Sequence, residues 1–217
     1  DNKKVLPPAA DVPDTLPEAI WISKAEPVGH EMLAAALSGV VEIDDGQKPS
    51  TRSLCLFTPV GRDITSAAVA EGVEAERAFG VDTMFGLEGR RTLMGTPVSD
   101  PDFRDMVHAA LAARDHAVTV IHDSAGFVNQ RVVATVVNIA CDIAQQRIAS
   151  PSDIDKAVTL GLGYPSGPLT MGDSVGARQI LQVLNAMQEF YGDPRYRPSP
   201  WLKRRALLGV SLLTAEN

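Results

Sequence analysis

Cysteine is nearly missing from this chain of 217 residues: there are two, Cys55 and Cys141, far apart and each inside an apolar run. That argues against a disulfide-stapled scaffold and predicts two buried thiols in a protein of the reducing cytoplasm. Basic residues are also outnumbered, 20 against 27 acidic ones, for a net charge of −7. With no basic field to displace counterions, this charge argues against a nucleic-acid or polyanion partner. No apolar run approaches the roughly 18 residues of a membrane span, and no basic-then-apolar leader opens the chain. No histidine or cysteine pair has the spacing of a zinc site, so no metal is expected. An initiator methionine is missing as well, and Asp1 is expected to be a cut point within a longer protein. What is present, 45% hydrophobic and 22% charged residues, suits a soluble globular protein of one or two domains.

The chain is organised around residues 123–146, DSAGFVNQRVVATVVNIACDIAQQ. A polar lead-in, Asp123-Ser124-Ala125-Gly126, supplies capping oxygens and a permissive glycine. After it Val128, Val132, Val136, Ile139 and Ile143 recur at helical steps, predicting a helix of about 18–20 residues with one apolar face. Its β-branched content does not favour a helix intrinsically, so tertiary burial must hold it, and a buried core helix is expected.

Upstream, residues 1–18 hold Pro7, Pro8, Pro13 and Pro17 without hydrophobic periodicity and are read as a linker. Residues 19–122 then alternate. Strands are predicted at 19–22, 40–43, 53–57, 78–84 and 117–121, and helices at 28–37, 64–73 and 101–114. Asp100 caps the last of these, with Pro101 at its first position. Such alternation predicts a parallel sheet with crossover helices. A dinucleotide site in that setting needs a glycine-rich turn after the first strand. Here the turn is Ser23-Lys24-Ala25-Glu26-Pro27-Val28-Gly29: one glycine, a carboxylate that repels phosphate, and a proline without N–H. This sheet is not expected to bind a dinucleotide.

The second half reads as helical. Ser150 caps a helix whose buried side is expected to be Ile154, Ala157, Val158 and Leu160. A Gly/Pro-rich connection leads to a helix marked by Ile180, Leu184, Met187 and Tyr191, and Ser199 caps the last helix with Pro200 just inside. His30, His108 and His116 are read as solvated or hydrogen-bonded structural groups, and His122 lies at a strand end beside Asp123. Ser124 is expected to be a cap rather than a nucleophile, since no nucleophile-elbow glycines surround it. Trp201 and Tyr196 are expected to pack beside the proline crossover. Lys203-Arg204-Arg205 reads as a solvated cationic face.

Three stretches together resemble the C-terminal helical domain of the 3-hydroxyacyl-CoA dehydrogenases: DSAGFVNQR at 123–131, IASPSDIDKAVTLGLGYPSGPL at 148–169, and GDPRYRPSPWL at 192–202. The resemblance covers about half the chain. It implies NAD-linked oxidation of the 3-hydroxyl of an acyl-CoA, a Rossmann domain upstream, and a helical domain that mediates dimerisation. The family's histidine base, oriented by a glutamate, is replaced. Asp82 falls where the histidine belongs, the glutamate position falls near Met94, and Glu88 has no imidazole to orient. The family asparagine falls at Gln130, with Asn129 one residue earlier, and a family serine corresponds at best to Thr58.

The expected architecture is α/β plus all-α: 1–18 a linker, 19–122 a degenerate Rossmann-like layer, 123–217 the family's helical domain. No intact catalytic set is expected; Gln130, Asn129 and His122 are the weak candidates, with NAD serving the full-length parent and no cofactor on this chain. The expected partners are another copy of the helical domain or the upstream dehydrogenase half, in a homodimer. Alternatives are an acyl-CoA or partner-binding scaffold, and a divergent dehydrogenase using Asp82 or His122 as base.

Overall fold

A computed structural model describes residues 12–216. Part of the proline-rich segment read as a linker, including Pro7 and Pro8, therefore lies outside the described residues. The chain divides into two compact units, one running through Pro59 and over Asp63–Ser124, the other made of Val60–Arg62 and Ala125–Asn217.

The first unit is a six-stranded sheet with helices. In chain order it has β1 (Ala19–Ile22), α1 (Pro27–Leu37), β2 (Glu42–Asp44), β3 (Ser53–Phe57), α2 (Ile64–Glu71), β4 (Ala78–Val81), β5 (Arg91–Gly95), α3 (Pro101–Ala112) and β6 (Val118–His122). The strand order is β2-β1-β3-β4-β5-β6. β1, β3 and β4 are buried along their whole length, as strands covered on both faces must be. Ile20, Ile22, Leu54, Leu56, Phe79 and Val81 meet Leu33 and Leu37 of α1 and Val107 and Leu111 of α3 in one core.

The sheet departs from the all-parallel expectation at β5. This strand was not foreseen, because Arg91 at its start and Gly95 at its end leave too short an apolar run. It pairs antiparallel with β4 and parallel with β6, so the last two strands run against the first four. Arg91 is nonetheless buried, its guanidinium donating to the carbonyls of Leu87 and Leu111.

The second unit is helical: α4 (Asn129–Gln145), α5 (Pro151–Leu162), α6 (Pro168–Val175), α7 (Ala177–Tyr191) and α8 (Pro200–Leu208). Local chemistry starts most of them. Ser150 accepts from the Asp153 N–H at α5, and Ser199 from the Trp201 N–H at α8. Asp155 reaches from α5 to cap α6, accepting from the N–H of Leu169 at 2.8 Å and of Thr170 at 2.9 Å. Gly163, Gly192 and Gly209 end α5, α7 and α8 in left-handed conformation.

Four expectations are reversed. The lead-in 123–126 does not cap α4, whose N-cap is Val128 without a side-chain bond; the Asp123 carboxylate caps α2 instead, accepting from Ile64 N–H at 2.8 Å and Thr65 N–H at 3.0 Å. The buried face of α4 is Gln130, Ala134, Val137, Asn138, Cys141 and Ala144, whereas Val128, Val132 and Ile139 are 54%, 55% and 57% exposed. On α5 only Ile154 is buried, and Leu160 is 76% exposed. Arg205 is also no solvated cation: it is buried, lies over the Trp201 ring, and donates to the Thr214 carbonyl.

Replacing Asp155 with Ala should destabilise the chain by about 0.5–2 kcal/mol through loss of the α6 cap, read as a lowered thermal midpoint with unchanged secondary structure. Burial pushes both thiols, Cys55 and Cys141, up to about 12. An unfolded thiol ionises near about 8.5, so above that pH the unfolded state binds fewer protons and stability should fall progressively towards pH 12. At neutral pH neither thiol should react with a thiol reagent until the chain unfolds, as absorbance with and without denaturant would show.

Candidate functional site

In a doubly wound sheet the ligand cleft lies beyond the carboxyl ends of the strands, where the order reverses. Here that point lies between β1 and β3, and it carries Ser23, Thr58, Asp82 and Thr83, all buried. Ser23 is already engaged: its hydroxyl donates to Glu71 at 2.6 Å and accepts from the Ala25 N–H. Gly29, in the first turn of α1, sits tightly on its neighbours. A Cβ there would lie 2.3 Å from the Thr58 hydroxyl and 2.8 Å from that of Thr83.

These residues do not fit a dinucleotide. The space beside Gly29 is filled by two threonine side chains, Pro27 offers no N–H, and the Glu71 carboxylate is held against Ser23 just after β1. No step through a nicotinamide follows from this sheet. The Thr58 hydroxyl is buried without a hydrogen-bond partner, a cost tolerated in a tightly packed corner.

The other residues singled out in the first unit are scattered. Asp82 follows β4 and accepts from the Met84 N–H at 3.1 Å, holding its own turn. Met94, in β5, is buried, its sulfur accepting from the Ser124 N–H at 3.2 Å. Glu88 is exposed. His122 is exposed at the end of β6, and the neighbouring Asp123 is engaged at α2. His30 approaches the Ile22 carbonyl with Nδ1 at 3.3 Å. His108 differs from the reading as a solvated or hydrogen-bonded group: it is 6% exposed, and burial lowers its pKa.

In the second unit the two amide candidates part company. Asn129 is exposed at the start of α4. Gln130 is 1% exposed, and its side-chain oxygen accepts from the N–H of Gly61 at 2.8 Å. Gly61 has φ +79°, and a Cβ there would lie 2.7 Å from the Val183 backbone of α7. Only glycine lets the segment Val60–Arg62 press onto α7 and present its N–H to Gln130. No feature of the sequence around Gly61 marks this pairing, because the two residues are 69 positions apart. Arg131 next to it donates to the Ala125 carbonyl and to the Tyr191 hydroxyl, and stacks on the Tyr191 ring. Trp201 and Tyr196 are buried packing residues, as expected. Among the described residues, no group of three or more His, Cys, Asp or Glu could hold a metal ion, and no helix is long and apolar enough to cross a membrane.

With this geometry in place, comparison with known proteins is direct. Residues 126–211 match the family model described as 3-hydroxyacyl-CoA dehydrogenase, C-terminal domain. The 3-hydroxyadipyl-CoA dehydrogenase of Escherichia coli (strain K12) is 43% identical over 98 residues, covering 45% of this chain and 21% of that protein. The crystal structure of 3-hydroxybutyryl-CoA dehydrogenase from Escherichia coli K12 superposes with TM-score 0.61 at 33% identity, over 70% of this chain and 31% of that one. That of (S)-3-hydroxybutyryl-CoA dehydrogenase from Ralstonia eutropha gives TM-score 0.71 at 18% identity, over 92% and 71%, a likeness of fold. The helical part of the chain is thus similar to the C-terminal domain of the 3-hydroxyacyl-CoA dehydrogenases. Its matches span 21% to 40% of the length of the first four curated relatives.

Gln130→Ala should leave the buried Gly61 N–H without a partner and cost about 1–3 kcal/mol. Gln130→Asn, one methylene shorter, should restore little of it. Chemical denaturation of the three proteins checks this, with equal midpoints the contrary outcome.

Proposed function

We propose that this chain is the C-terminal portion of a 3-hydroxyacyl-CoA dehydrogenase, a structural and dimerising piece that is inactive alone. In the parent protein, NAD accepts a hydride from C3 of the acyl-CoA, whose 3-hydroxyl becomes a ketone. The base and the cofactor turn for that reaction belong to the upstream half of the parent. The observation that carries the reading is the outward apolar stripe of α4. Val128, Val132 and Ile139 lie at steps of four and seven, on one side of a helix, each more than half exposed. Exposed apolar stripes of this kind mark association surfaces. The filled cleft beside Gly29 supports the second part, since the chain's own α/β unit offers a dinucleotide no room. Under this reading Gln130, Asn129 and His122 have no catalytic part, and a cytoplasmic location suits acyl-CoA degradation.

The purified chain should form a dimer by analytical ultracentrifugation. The double variant Val132→Glu, Ile139→Glu should weaken association at least about tenfold, or about 1.4 kcal/mol, with helix content unchanged. With 3-hydroxybutyryl-CoA and NAD it should show no turnover, and calorimetry should show no NAD binding. A monomeric chain would defeat the dimerising role. Turnover abolished by His122→Ala or Asp82→Asn would establish the divergent-dehydrogenase alternative, and CoA binding without NAD binding the scaffold.

A further inference from the structure

The first unit holds a cavity of about 360 Å³ away from the carboxyl ends of its parallel strands, between the end of α3 and the start of β6. Ala112 and Val118 give it an apolar wall, and Arg90, His108, Asp115 and His116 give it a polar one. The polar groups are notable for what they do not bond. His108 is 6% exposed, its imidazole bonds to no other described residue, and its ring nitrogens are not among the fully enclosed polar atoms, so they remain open to the cavity. Arg90 makes a single side-chain bond, to the Thr119 hydroxyl at 3.1 Å, and no ion pair among the described residues. Asp115, exposed at the rim, makes no ion pair among the described residues. This contrasts with Asp44, Asp123 and Asp155, each of which accepts three hydrogen bonds. The turn bringing Asp115 and His116 to the cavity has two consecutive non-glycine residues, Arg114 and Asp115, with φ of 62°. Left-handed pairs of this kind are disfavoured and persist where the surroundings require them.

The composition of the wall selects the ligand class. One guanidinium is present, offset by one carboxylate, so a multiply charged phosphate would meet repulsion that a single negative charge can avoid. Burial keeps His108 neutral near pH 7, leaving one ring nitrogen to donate and the other to accept. The volume is at the lower end of small-molecule pockets, roughly 300–1,000 Å³. We propose that this cavity binds a small organic monocarboxylate, with Arg90 as counter-ion, His108 hydrogen-bonded at the buried end, and Ala112 and Val118 against the ligand's apolar body. The site lies within the α/β unit and does not depend on the dimerising role of the helices.

The test is a nitrogen-15 NMR titration of the whole chain with hexanoate, and in parallel with inorganic phosphate. Hexanoate should produce saturable shifts at the Ala112 and Val118 amides and the His108 ring, and phosphate should not. Arg90→Gln, an exposed substitution, should raise the hexanoate Kd at least tenfold, and His108→Phe should do the same. If His108→Phe fails to fold, Arg90→Gln decides alone. The proposal falls if hexanoate gives no saturable shift at these residues. It falls equally if Arg90→Gln binds as the parent does, if phosphate binds as tightly, or if the shifts map only to the outward stripe of α4.

Discussion

The helical unit depends on how little side chain α4 puts on its inner face. Ala134, Ala140, Cys141 and Ala144, with Val137 the largest aliphatic among them, are buried there. α5, α6, α7 and α8 all pack on this one helix. A face of leucines would hold those neighbours further off or strain them, since interiors are packed too densely to absorb extra methylenes. A face of alanines buries little apolar area, and two amides make up part of the difference. Gln130 fixes the segment at Gly61. Asn138 bridges two points of the proline crossover, donating to the Arg197 carbonyl at 2.9 Å and accepting from the Ser199 N–H at 2.8 Å. The inner face of α4 thus carries two buried amides, while Val128, Val132 and Ile139 stand exposed on its other side.

That inversion explains what could be read in advance. Features set by local chemistry were legible. The caps Asp100, Ser150 and Ser199, each followed by proline, start helices where expected, because a side chain two or three residues from an unpaired N–H needs no tertiary context. β1 and β3 were likewise found at their limits. Hydrophobicity, by contrast, reports that a face avoids water without saying what covers it. The periodicity predicts an inner face of Val128, Val132, Val136, Ile139 and Ile143; Val136 and Ile143 are half-buried and the other three exposed, and the fully buried face is masked in the sequence by Gln130 and Asn138. Arg205 misled in the same way: a cation in a basic run is read as solvated, and its place over Trp201 comes from residues up to nine positions further on. β5 escaped because its flanking Arg91 and Gly95 interrupt the pattern, while its burial comes from a partner strand.

The residues of the candidate cleft could be read directly from the sequence: Glu26 and Pro27 before the single Gly29 of the turn after β1, and Asp82 after β4. What fills the cleft could not. Thr58, Thr83 and Gly29 are spread over 55 positions of sequence, and their close approach is a product of the sheet order. The acidic composition was equally ambiguous. Several of the carboxylates hold backbone N–H groups at helix starts and turns, Asp63 and Asp123 at α2 and Asp155 at α6, rather than lining a reactive centre.

The tail after α8 closes the helical unit. Leu212 is buried, its N–H donates to Asp173, and its carbonyl receives the Trp201 indole; the Thr214 carbonyl receives the Arg205 guanidinium. A large aromatic ring and a buried cation thus wait for acceptors lying 9 to 11 residues further along. During synthesis those acceptors would still be inside the ribosomal exit tunnel when α8 emerges. The unit can therefore reach its final packing only once the residues up to Thr214 have followed α8 out.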